Sequence, residues 1–180
     1  IATSNGINCI DYKTKKITRF YPKSINKECT TNIINRLLKH SDGNVYAFCN
    51  RSVFKCSMNQ TVETVFPDIA IPSPTYSVAQ APDKDIYIGT ESNGLYIYSE
   101  NWKLKKHVPI DGIIATILPD NNGDIWLGLD ETGICLFNKN KQTFTWLHKD
   151  NTNLNNNSIR TFVSYGDSSI LVGTFRGLNI

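Results

Sequence analysis

Charge of one sign is scarce in this chain. Its 19 Lys and Arg stand against 16 Asp and Glu, a net charge of +3. The basic residues form no single block: Lys13, Lys15 and Lys16 share a turn, and Lys103, Lys105 and Lys106 run along a strand edge. Such short clusters read as solvated faces, and no nucleic-acid partner is expected. Long apolar runs are lacking as well. The longest, Ile113 to Leu118, has Thr116 inside it and is too short to cross a bilayer as a helix. Ile1 falls inside a strand pattern, so no signal peptide is read, and the chain is expected to be an excised piece of something longer. Cysteine is sparse and odd in number: Cys9, Cys29, Cys49, Cys56 and Cys135 leave at least one thiol unpaired. If Asn50-Arg51 is a turn, Cys49 faces Ser52 and Cys56 faces Val45, which puts the two thiols too far apart to bridge. Most of these thiols are expected to be small core fillers.

The signatures of catalysis are also missing. There is no glycine-rich phosphate loop, no G-x-S-x-G elbow, no metal-binding His/Glu pair and no CxxC. His107 and His148 fall near the same strand end in successive repeats, so they read as repeat positions, and His40 stands alone beside a turn. Asp120-Asn121-Asn122-Gly123-Asp124 lacks the alternating ligands and distant glutamate of a calcium loop. No catalytic residue, no metal and no cofactor is assigned. An enzyme remains an alternative, in which Glu91 or Glu131 would be the acid to test.

What the chain does have is a repeat. With 40% hydrophobic and 19% charged residues over 180 positions it has the composition of a globular domain. The clearest copy reads Asn122-Gly123-Asp124-Ile125-Trp126-Leu127-Gly128-Leu129, followed by Gly133-Ile134-Cys135-Leu136-Phe137. The phrase returns at Asp85–Thr90 with Gly94–Tyr98, at Ser169–Thr174 with Gly177–Ile180, and in worn form at Asn44–Phe48 with Ser52–Cys56. The chain opens inside another copy, Ile1-Ala2-Thr3 with Gly6–Ile10. Gly6, Ser52, Gly94, Gly133 and Gly177 stand 46, 42, 39 and 44 residues apart. A period near forty with short strands marks an all-β fold of β-propeller blades, four antiparallel strands to a blade.

In the clearest unit, Ile113–Leu118 reads as a buried first strand, Ile125–Leu129 as the second, Ile134–Phe137 as the third and Thr143–Leu147 as the outer fourth. The Asp/Asn/Gly stretches between them are hairpin turns. Three complete blades are read at about 33–65, 75–107 and 113–147, with partial blades at 1–20 and 159–180, about four blades' worth in all. The two partial sets could close a four-bladed ring, but the third strand would then be present twice. An arc of a larger propeller of about seven blades is the other arrangement. Gly89, Gly128 and Gly173 are expected where a neighbouring backbone comes close. Tyr46, Tyr87, Trp126 and Leu171 share one repeat position and read as inter-blade packing, while Trp102 and Trp146 fall on outer strands.

The paired phrase at 122–137, the Phe144–His148 strand and the Asn-rich loop Lys149–Ile159 together resemble the two-component regulator propeller repeat. The likeness covers essentially the whole chain, strongest at 86–98 and 122–180 and weakest at 41–56, where Phe48 and Ser52 replace the two glycines. That resemblance implies the periplasmic sensor region of a hybrid two-component histidine kinase. There the segment would recognise an oligosaccharide, without catalysis, and relay its binding to the kinase. It implies further propeller blades, a β-sandwich and a transmembrane helix in the parent, an ectodomain of an inner-membrane protein, and a homodimer. A scaffold used only for protein interaction or dimerisation is the competing reading.

Repeats encode scaffold, so recognition is sought where they differ. The loops after the second strand open on the usual ligand face of a propeller and vary from unit to unit. They supply Arg51, then Glu91 and Asn93, then Asp130 and Glu131, then Phe175 and Arg176. Carboxylates, amides, guanidinium groups and an aromatic ring can hydrogen-bond sugar hydroxyls and stack on a sugar face. Arg51 and Arg176 are favoured if the sugar is anionic.

Overall fold

A computed structural model describes residues 1–21, 32–49, 52–57, 62–64, 71 and 73–180. Arg51 and Cys29 lie outside the described residues. The described chain is all-β, with no helix among those residues, and folds into five antiparallel sheets of three or four strands. In chain order the sheets are β1 Ala2–Thr3, β2 Gly6–Ile10 and β3 Ile17–Phe20; then β4 Arg36–Lys39, β5 Val45–Cys49, β6 Ser52–Cys56 and β7 Val62–Thr64. Next come β8 Thr75–Gln80, β9 Ile86–Thr90, β10 Leu95–Tyr98 and β11 Leu104–Val108, then β12 Ile114–Pro119, β13 Asp124–Leu129, β14 Gly133–Asn138 and β15 Thr143–Leu147. The last sheet holds β16 Ile159–Tyr165, β17 Ser169–Thr174 and β18 Gly177–Asn179. Every strand pairs with its sequence neighbour, so each sheet is a meander. The chain divides into two compact units, Ile1–Thr75 and Tyr76–Ile180.

The repeat glycines have two distinct jobs. Gly6, Gly94 and Gly133 turn the chain into the third strand at φ of +96°, +72° and +94°. A Cβ on them would lie 2.3, 2.2 and 2.4 Å from the carbonyl oxygens of Phe20, Val108 and Leu147. Only glycine fits both the left-handed backbone and that approach. Gly89 and Gly128 sit on extended second strands, and the sequence reading of them needs correction. What comes close is no backbone but side chains, those of the sheet's own first strand and of the isoleucine that opens the next sheet: a Cβ would stand 2.3 Å from Ser77 Oγ and 2.6 Å from Ile114 Cγ2 at Gly89, and 2.5 Å from Ile159 Cγ2 and 2.6 Å from Thr116 Cγ2 at Gly128. Both isoleucines are fully buried. Burial of each contributes about 1.5–3 kcal/mol. The Ser77 hydroxyl donates to the Ile114 carbonyl at 2.6 Å and so fixes the same junction.

In the second unit the apolar core runs between successive sheets, through Tyr87, Leu95, Ile97, Ile114, Leu127 and Phe137, and then through Ile134, Ile159, Phe162 and Val172. Polar contacts close the same junction at the sheet ends. The Lys139 ammonium, in the β14–β15 turn, pairs with Asp83 and lies 2.6 Å from Asp85, which also takes Lys105 at 2.7 Å. In the first unit Ile7, Ile34, Ala47, Cys49 and Phe54 form the core. Phe48, which stands where the repeat has glycine, is fully buried.

Cys49 pairs with Ser52 and Cys56 with Val45 across the β5–β6 ladder, the register expected. Cys49 and Cys135 are buried, and burial pushes the Cys135 thiol up to about 12. Cys9 is exposed and is no core filler. Trp102 departs from expectation too. It lies in the β10–β11 turn rather than on the outer strand, buried at a φ of +61° and tilted against Tyr98 at 6.5 Å.

Candidate functional site

The loops after the second strands are built by a recurring hydroxyl. Thr90 Oγ1 accepts the Asn93 N–H at 3.0 Å and donates to the Gly94 carbonyl at 2.8 Å. Thr174 does the same with the Arg176 N–H at 3.2 Å and the Gly177 carbonyl at 3.0 Å. These side chains hold the tight turns alongside the backbone, which at the β9–β10 loop bonds Thr90 N–H to the same Gly94 carbonyl at 3.1 Å.

At the β9–β10 loop the Asn93 side chain turns inward. Its Nδ2 donates to the Tyr96 hydroxyl at 2.6 Å, and the Asn93 backbone carbonyl meets His107 Nε2 at 2.7 Å. His107 stacks on the Tyr96 ring at 4.4 Å. Burial raises the Tyr96 hydroxyl, with the Asn93 bond opposing it. Glu91, beside it, is exposed.

The other loops converge on the Asn-rich segment that follows β15. Glu131, held at a φ of +67°, donates its N–H to Ser158 Oγ at 3.2 Å, and the Phe175 N–H donates to the Ser158 carbonyl at 2.9 Å. Asn155 Oδ1 lies 2.8 Å from Thr174 Oγ1, whose one proton it shares with the Gly177 carbonyl, and Asn155 Nδ2 donates to the Arg176 carbonyl at 3.3 Å. The Asn157 carbonyl takes the Gly133 N–H at 2.8 Å. One segment thus fixes the β13–β14 and β17–β18 loops with respect to each other.

Arg160, which the sequence reading did not single out, joins their side chains. The β16–β17 register shifts between Ile159, opposite Thr174, and Thr161, opposite Gly173, so Arg160 is the extra residue of a β-bulge. Bulges re-aim the side chain they carry. Here the Arg160 guanidinium reaches Asp130 Oδ2 at 3.0 Å and lies over the Phe175 ring at 5.6 Å from its centroid. The side chains of Arg160 and Asp130 are 47% and 23% exposed, and Phe175 is 69% exposed. The structure therefore brings Asp130, Arg160 and Phe175 into one exposed platform, with Glu131 and Arg176 anchored beside it through their backbones. Glu91 and Asn93 stand on a separate loop. An open aromatic ring beside a paired guanidinium and carboxylate can stack on an apolar ring face and hydrogen-bond the hydroxyls around it. Among the described residues no group of three or more His, Cys, Asp or Glu side chains could hold a metal ion.

The class to which this fold and platform point is set by comparison with solved structures. The chain is similar to the extracellular domain of a hybrid two-component system of B. thetaiotaomicron, with a TM-score of 0.81 and 20% identity over 98% of this chain and 25% of that one. It is similar also to the extracellular domain of a second hybrid two-component system of that bacterium, with a TM-score of 0.76 and 25% identity over 99% of this chain and 24% of that one. An enzyme shares the architecture: virginiamycin B lyase of Staphylococcus aureus, at a TM-score of 0.69 and 18% identity over 94% of this chain and 56% of that one. The chain spans about a quarter of the length of the sensor ectodomains it matches. No protein-family model and no curated protein matches it.

Proposed function

We propose that this chain is a ligand-sensing, extracytoplasmic segment of a hybrid two-component sensor, an arc of a larger propeller whose part is to bind an oligosaccharide and relay the bound state to a histidine kinase. The observation that carries the reading is the Asp130–Arg160–Phe175 platform, held at the loop end of a fold shared with such ectodomains. Phe175 supplies the stacking face, Arg160 and Asp130 the hydroxyl contacts, and Glu131 and Arg176 flank them, with Glu91 and Asn93 on a further loop; Arg51 belongs to the set by its sequence position alone. Exposed apolar side chains on the first sheet and in its β2–β3 turn, Ile17 and Tyr12, and on the last sheet, Val163, Tyr165 and Leu178, support a parent in which further blades cover them. A periplasmic position, a β-sandwich neighbour and a homodimeric parent complete the reading. Relay requires only that the ligand bind one arrangement of the ectodomain more tightly than another.

The test is calorimetric titration of the parent ectodomain with an oligosaccharide panel, alongside Phe175→Ala and Arg160→Ala. Both side chains are exposed, so the fold is retained. A saturable heat with one sugar class, weakened about tenfold or more by each substitution, is the expected result. Equal affinity in both variants would remove the platform from the site. Chemical turnover of the sugar, lost in Glu131→Ala or Glu91→Ala, would replace binding by catalysis.

A further inference from the structure

Where asparagine precedes glycine, the glycine nitrogen can attack the asparagine side chain, because no β-carbon stands in its way. The chain holds three such pairs: Asn5-Gly6, Asn93-Gly94 and Asn122-Gly123. The fold treats them differently. At Asn93 the amide is spent on the Tyr96 hydroxyl at 2.6 Å, and Gly94 is buried so closely that an added Cβ would stand 2.2 Å from the Val108 carbonyl oxygen. Asn5 is exposed, but its attacking group is tied down: Gly6 is buried, and its N–H donates to the Asn32 carbonyl at 2.7 Å. Asn122 has neither protection. It is exposed in the turn of residues 120–123 between β12 and β13, and it bonds there through its main-chain N–H, to Asp120 Oδ1 at 2.8 Å. The Gly123 N–H reaches the Asp120 carbonyl at 3.3 Å, a long bond. Gly123 has a φ of +87°, and among the described residues nothing lies within 4 Å of where its Cβ would be.

We propose that Asn122 is a site of spontaneous modification, at which the folded chain deamidates to aspartate and isoaspartate. The Gly123 nitrogen gives its proton to solvent base and attacks Asn122 Cγ, forming an N–Cγ bond. The Cγ–Nδ2 bond then breaks, and Nδ2 leaves as ammonia with a proton taken from water. The product is a five-membered succinimide ring, which water opens at either of its two carbonyls. Breaking the new N–Cγ bond gives aspartate. Breaking the original bond from the Asn122 carbonyl carbon to the Gly123 nitrogen gives isoaspartate. In sum, an amide and a water become a carboxylic acid and ammonia, with no oxidant or reductant. Ring closure swings the Asn122–Gly123 peptide toward the side chain, a local opening that an exposed turn with space around Gly123 permits. Either product sets a carboxylate beside Asp120 and Asp124. Isoaspartate also adds a methylene to the main chain inside the span that Asp120 Oδ1 closes, from the Asn122 N–H at 2.8 Å to the Asp124 N–H at 3.0 Å. Asp120 Oδ2 accepts Trp126 Nε1 at 3.1 Å, so the change reaches the apolar cluster against which Trp126 packs. The proposal stands apart from the oligosaccharide reading.

The test is peptide mapping by mass spectrometry after incubation of the full chain at mildly alkaline pH, with isoaspartate read by enzymatic methylation. The peptide that holds Asn122 is expected to gain the mass of an amide turned carboxylate about tenfold faster than those that hold Asn5 and Asn93, the factor set by one hydrogen bond that must open first. In concentrated urea, where the fold no longer protects, the three rates are expected to converge. Asn122→Gln, at an exposed position, can close only a slower six-membered ring and is expected to abolish the gain while leaving the fold intact. A gain at the wild-type rate in Asn122→Gln would move the reaction to Asn121 and overturn the proposal. Equal rates at the three pairs in the folded chain, the same ranking in urea as in water, or conversion of Asn122 in urea alone would overturn it as well.

Discussion

Gly128 has no room for a single added carbon. A Cβ there would stand 2.5 Å from Ile159 and 2.6 Å from Thr116, both from the first strands of the two sheets that meet at that point. Gly128→Ala is therefore expected to overpack the junction and to lower stability by about 1–3 kcal/mol, read as a fall in the denaturant midpoint with an unchanged slope. A midpoint equal to that of the wild type would mean that the sheets do not seat against each other as described. The glycine itself was plain in the sequence, because it recurs at Gly89, Gly128 and Gly173. Its partner was not, since contact between one strand and the opening residue of the next sheet is a tertiary fact. Arg160 makes the same point at the site. As a letter it is one charged residue after a buried isoleucine; only the bulge that leaves it out of the ladder turns it onto Phe175 and Asp130. Asn93 runs the other way, as an amide expected to face ligand that spends its donor on Tyr96.

The hairpin elements were the most legible part of the fold. Apolar alternation and turn residues are local signals, and β15 spans Thr143–Leu147 as read, while β12, β13 and β14 fall within one residue at each end. The joints between elements were not legible. Lys139 reads as one residue of a turn, yet it clasps the carboxylates of the preceding sheet. Burial works to lower the Lys139 ammonium and to raise the Asp83 carboxyl. In both groups the ion pair prevails, so Lys139 lies above its ordinary 10.5 and Asp83 below its ordinary 3.8. A depressed carboxyl stabilises above 3.8 and loses that contribution as pH falls through its folded value; a raised ammonium stabilises below 10.5 and loses it as pH climbs. The clasp is thus fully effective between those limits. Lys139→Ala is expected to lower stability at pH 7 by about 1 kcal/mol or less, since the pair is partly exposed and Lys105 still holds Asp85. The gap between variant and wild type should narrow as pH falls below 3.8 in urea titrations. A gap that stays constant with pH would assign the loss to packing of the lysine stem.

At the scale of the whole molecule, the repeat pointed to the architecture and to the sensor resemblance, and structural likeness at 20–25% identity supports both although no family model matches. A meander unit tolerates wide sequence divergence because few positions recur even within this chain: the turn glycine at Gly6, Gly94, Gly133 and Gly177 and the second-strand glycine at Gly89, Gly128 and Gly173, both of which the unit at 44–56 does without. The same economy leaves ligand recognition unwritten in the repeat, on loops that each unit is free to vary. Whether this chain is one arc of a membrane sensor's ectodomain is decided by sequencing the reading frame that encodes it. Further repeats of this kind are expected on at least one side, then an apolar stretch of roughly twenty residues and a histidine kinase core. A frame that closes on these repeats alone, with a secretion signal and no kinase, would contradict it.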